Sequence, residues 1–150
     1  MQTWIDKFAI ILLTLWVGSL WAIGGIAAPV LFYQIHDTQL AGQLAGEMFK
    51  LLAYFGLFAG VVLLLHSLMK QGGRAFKQGY IWLIIIMLLL TVAMHFGIAP
   101  ILAQLKQDAL PADVMNSVFA NRFERWHGVS SAAFMLQSVL GLWAVLKAPR

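Results

Sequence analysis

Four stretches of this chain contain no Asp, Glu, Lys or Arg at all: residues 8–32, 51–69, 79–103 and 128–146. Each is long enough to cross about 30 Å of hydrocarbon at roughly 1.5 Å of rise per residue. The bilayer core offers no water to unpaired backbone groups, so runs of this kind must close their hydrogen bonds internally, as helices. The composition agrees: 61% of the 150 residues are hydrophobic and 11% charged, with a mean hydropathy of +0.83, far from the soluble average. The expected object is a single integral membrane domain over residues 1–150, all-α, with four transmembrane helices in a bundle. The first run is too long for the apolar part of a signal peptide, and Pro29 follows its only small-residue cleavage site, so it is expected to be retained.

Orientation follows from the basic residues. Lys7, Lys70, Arg74, Lys77, Lys147 and Arg150 fall on one side with Asp6 as their one acid, whereas Lys50, Lys106, Arg122 and Arg125 share the other side with five acids. The short "KQGGRAFKQ" connection has no acid. By the positive-inside rule both termini are cytoplasmic, in the inner membrane. Trp4, Tyr80, Trp82 and Trp143 would form the inner aromatic belt, and Tyr33, Tyr54 and Trp126 the outer one. Basic residues at the ends of apolar runs set topology, so the formal charge of +4 does not indicate nucleic-acid binding.

The chain resembles a duplicated helical hairpin. "GIAAPVLFYQ" closes the first span and "GIAPILAQ" the third, with Pro29 and Pro100 in matching places, each expected to bend or end its helix near the outer face. Each is followed by an amphipathic stretch. In "LAGQLAGEMF", Ala41, Leu44, Ala45 and Met48 recur at helical spacing; in "PADVMNSVFANRFERW", Met115, Val118, Phe119, Arg122, Phe123 and Trp126 do so behind Pro111, a helix-starting residue. These are short amphipathic helices of the two outer connections, or the early turns of the spans that follow.

Candidate chemistry rests on histidine. Cysteine is absent, which removes thiolate ligands, disulfides and cysteine nucleophiles. No charged residue lies within a span, and no protease, nucleotide or nucleophile-elbow motif occurs. His95 lies eight residues, about 12 Å, below the outer end of its run, and an ionisable group at such depth is a functional candidate or a neutral, hydrogen-bonded packing residue. His127 precedes span four, whose positive end favours a neutral, ligand-competent ring. His36, beside Asp37, reads as a loop residue that could join a metal set with His95 and His127. A shared site requires Pro100 to end its helix. Met48, Met94 and Met115 share that side, which a soft copper site could use, though packing is the simpler role. Gly56 and Gly60 form a GxxxG on span two, a mark of close helix contact inside the monomer or between copies.

"GGIAAPVLFYQI", "LAGQLAGEMF" and "FERWHGVSSAAFMLQ" resemble the bacterial membrane proteins of the domain of unknown function 4149 family, whose animal relatives include transmembrane protein 205. That resemblance implies a four-helix membrane protein with no established activity. More distantly the hairpin plan is similar to the copper-resistance D group, which would imply haem or copper held by His95 and His127; span one lacks the histidine that such a site would need. The reading that follows is a non-enzymatic membrane protein acting through helix contacts with itself or a membrane partner, with the cofactor binder as the alternative.

Overall fold

The computed structural model describes residues 3–148, and every long element is helical. Four helices, α1 (Trp4–Gln34), α2 (Thr38–Gln71), α3 (Gly79–Ala109) and α4 (Ala120–Lys147), are long and apolar enough to cross a membrane, and the chain is a multi-pass membrane protein. A 3-10 turn, Gly72–Lys77, joins α2 to α3. The bundle has a terminal end, where α1 starts and α4 stops, and a far end carrying the other two connections.

The helices outrun the apolar stretches that predict them. Asp37 caps α2 by accepting from the backbone N–H groups of Gln39 and Leu40 at 2.9 and 3.1 Å, so "LAGQLAGEMF" is the opening of α2, not a separate surface helix. The second connection differs again. Pro111 lies in a turn, Val114–Asn116 is a short 3-10 turn, and α4 begins at Ala120. Val114, Leu105 and Ala109 are buried together under Phe119, Phe123 and Trp126, a small second core at the far end.

The prolines do not end their helices. Ahead of each, the helix widens to π-type hydrogen bonding, over Ile23–Ala27 before Pro29 and over Ala93–Ile98 before Pro100. Proline donates no hydrogen bond and its ring crowds the carbonyl four residues back; a wider turn relieves both without leaving the right-handed helical region. Ala28 and Ala99 accordingly keep helical φ/ψ of −62/−49° and −57/−41°. Both halves of the chain use this device at matching positions.

Small residues set the helix contacts. A Cβ on Gly56 of α2 would lie 2.6 Å from Trp16 Nε1 of α1, one on Gly60 2.4 Å from Leu88 of α3, and one on Gly141 of α4 2.9 Å from Val17 of α1. Each neighbour therefore packs where a side chain would otherwise stand. The GxxxG of α2 is spent inside the monomer, one glycine on α1 and the other on α3. Trp16, Leu13, Leu63, Ile81, Ile84 and Met87 fill the centre, each under 2% exposed.

Candidate functional site

The three histidines of the far half occupy separate surroundings. His36 is exposed at the bend between α1 and α2. His95 is half-buried in the π-helical turn of α3, edge-on to Tyr54 of α2 with centroids 4.8 Å apart and to Phe96 at 4.7 Å. His127 is exposed and stacks on Phe123 at 5.7 Å, 8° from parallel. It lies two turns inside α4 and not ahead of it. Because α3 continues to Ala109, Pro100 does not raise His95 towards the far end. Among the described residues no group of three or more His, Asp or Glu is placed to hold a metal ion; His36, His95 and His127 are not gathered into one centre.

A tether closes the far end. Asp113 accepts from the Thr38 hydroxyl and, at 2.8 Å, from the Met115 backbone N–H. Lys106 Nζ reaches the Gly42 carbonyl at 3.4 Å and stands 5.7 Å over the Phe123 ring. The Thr38 hydrogen bond, then that of Met115, holds the Asp113 carboxyl below the usual carboxylate range; burial opposes this, and the Lys106 charge adds to it. A group whose folded pKa is depressed stabilises fully above its unfolded value, about 3.9, and loses that contribution as pH falls through the folded value. Acidification below about pH 4 should therefore loosen the 110–119 connection. Hydrogen exchange of these amides against pH is the check, and Thr38→Val should move the onset to higher pH.

Sequence reasoning missed the densest polar cluster, at the terminal end. Asp6 is 4% exposed. One of its oxygens, Oδ1, accepts from Lys70 Nζ at 2.7 Å and meets His66 Nε2 at 3.0 Å, and Oδ2 accepts from the Thr3 backbone N–H and hydroxyl at 3.0 and 3.1 Å. The Asp6 N–H donates back to Thr3 Oγ1, completing a capping box. A carboxylate with both oxygens so engaged has no lone pair directed at a reactant, which makes it a clamp between α1 and α2 and not a general base. The adjoining cavity, about 20 Å³ and lined by Ala9, Ser67, Gln71 and Tyr80 among others, has room for one water. Two local signals were present, Thr3-x-x-Asp6 and the i, i+4 pair His66 and Lys70, but nothing in sequence joins positions 60 residues apart.

A second polar pair lies deep in the bundle. Gln137 Nε2 donates to Thr91 Oγ1 at 2.8 Å, and that hydroxyl donates to the Met87 carbonyl at 2.9 Å. Gln137 Oε1 is the one buried side-chain oxygen or nitrogen without a partner among the described residues.

A family model for a domain of unknown function, DUF4149, matches residues 11–111, from the third turn of α1 to just past the end of α3. The chain belongs to the DUF4149 family. The matched DUF4149 region contains both π-helical turns, Pro29, Pro100, Gly56, Gly60, Tyr54 and His95; Asp6 and α4, with Arg122, Arg125 and His127, lie outside it. No curated protein and no solved structure matches this DUF4149 chain.

Proposed function

We propose that this DUF4149 protein is a non-enzymatic module of the inner membrane, both termini cytoplasmic, that acts by helix association, with the exposed face of α1 as its contact with a second copy. The supporting observation is a contrast between helices. Along α1 the exposed positions Thr14, Gly18, Ala22 and Gly25 are small, and a Cβ at Gly18 or Gly25 would meet nothing within 4 Å. Along α2 the exposed positions include Leu51, Tyr54, Phe58, Val61 and Leu65. In lipid, where apolar burial gives no net drive, small residues permit the backbone approach from which association energy comes. Gly56 and Gly60 of α2 are already covered. Two copies crossing at Gly18 would satisfy a two-fold axis, since each presents the same stripe. The test is energy transfer between labelled copies in vesicles at varied protein-to-lipid ratio. Wild type should associate, and Gly18→Leu with Ala22→Leu should weaken association roughly tenfold or more; equal transfer in both proteins would contradict the reading.

The cofactor reading draws on one observation: His95 occupies a π-helical turn, a geometry frequent at functional sites, and among the described residues its ring makes aromatic contacts and no hydrogen bond. Haem or copper at His95 would give visible absorption and stoichiometric metal in the purified protein, both lost in His95→Ala. A colourless, metal-free protein after reconstitution would dispose of it.

A further inference from the structure

We infer that the groove at the start of α4 binds the phosphate headgroup of an anionic phospholipid. Arg122, Arg125, Trp126 and Val129 surround an open hollow of about 380 Å³. Both arginines are exposed, and neither forms an ion pair: the ion pairs among the described residues are those of Lys50 with Glu47 and of Asp6 with His66 and Lys70. The carboxylates closest in sequence leave them uncompensated. Asp113 is held by Thr38 and Met115, Asp108 accepts from Gln104, and Glu124 is exposed without lining the hollow. Two positive charges therefore face one cavity with no counter-ion among the described residues.

The depth fits a headgroup. The charge-free run of α4 begins at residue 128, which places Arg125 and Arg122 about 4.5 and 9 Å beyond the hydrocarbon edge at 1.5 Å per residue, within the headgroup layer. Guanidinium forks match phosphate oxygens in pairs. The Trp126 indole suits the same layer, and Val129, 53% exposed, provides an apolar floor where the glycerol and first acyl carbons would lie. A zwitterionic headgroup would bring its own ammonium against the two guanidiniums, so the groove selects lipids of net negative charge. This site is lined by α4 residues and the stripe lies on α1, so the inference stands whether or not the chain self-associates.

Native mass spectrometry of the full chain released from nanodiscs of mixed phosphatidylcholine and phosphatidylglycerol tests the inference. Wild type should retain one phosphatidylglycerol in preference to phosphatidylcholine, and Arg122→Gln with Arg125→Gln should lower that preference roughly thirtyfold, from the loss of two near-surface cations. Inorganic phosphate at millimolar concentration should not displace the lipid. Equal retention of the two lipids by wild type, an unchanged preference in the double variant, or displacement by free phosphate would each overturn it. The first and third comparisons need no variant, so a double variant that fails to fold leaves the inference open to refutation.

Discussion

Gly56→Val should lower the stability of the bundle by about 2 to 3 kcal/mol, the upper range for overpacking a filled interior. A Cβ at this position would lie 2.6 Å from Trp16 Nε1 and 3.1 Å from Cε2. Trp16 is fully buried, held by α1 on one side and the bundle centre on the other, so its rigid ring cannot withdraw and the helices must separate. Removing a glycine from a helix gains about 1 kcal/mol or less of propensity, and a β-branched residue gains less still; the clash outweighs it. Two controls sharpen the test. Gly60→Ala meets Leu88 at 2.4 Å, but the end of a leucine can change rotamer, so the loss should be nearer 1 kcal/mol. Gly18→Val enters open space and should stay within about 0.5 kcal/mol of wild type, while acting on association. Unfolding in mixed micelles by titration with a denaturing detergent measures all three.

Thr91→Val should destabilise the bundle and Gln137→Met should not, although the two residues share one hydrogen bond. Thr91→Val deletes the group that accepts from Gln137 Nε2 and leaves the whole amide buried without partners, at a cost of about 2 kcal/mol. Gln137→Met removes both the donor and the unpartnered Oε1, fills the same space, and leaves the Thr91 hydroxyl bonded to the Met87 carbonyl. One modest hydrogen bond is lost and one orphaned acceptor disappears, so stability should be unchanged or higher by about 1 kcal/mol. The same titration reads the result. Equal destabilisation by both changes would show that Oε1 has a partner after all, such as a bound water.

The spans were legible because hydrocarbon excludes charge, and the four charge-free runs lie within α1 to α4. Helix ends were not. A helical stretch such as residues 38–50 can be amphipathic at the membrane surface, where water satisfies what the apolar core would not, so composition changes before the helix stops. Pro29 and Pro100 carried a correct signal of disturbed hydrogen bonding, but a chain can widen a turn as readily as break it, and residue type does not distinguish the two. The GxxxG of α2 announced close contact without naming Trp16 and Leu88 as what it touches. His95 was picked out by depth, and it does lie in the irregular turn; which residues surround it there, Tyr54 of α2 among them, depends on how the helices pack. Asp6 was counted only as a charge opposing nearby lysines. Its clamp on His66 and Lys70 depends on α1 lying beside α2, which exists only in the folded chain.

Because the chain contains no cysteine, a single cysteine reports directly on what each lipid-facing position meets. Gly18→Cys, oxidised in native membranes, should yield a disulfide-linked dimer, whereas Leu142→Cys on the exposed face of α4 should remain monomeric under the same conditions. A Gly18→Cys protein that never crosslinks, or crosslinking of equal extent at both positions, would contradict the assignment of α1 as the surface on which copies of this protein meet.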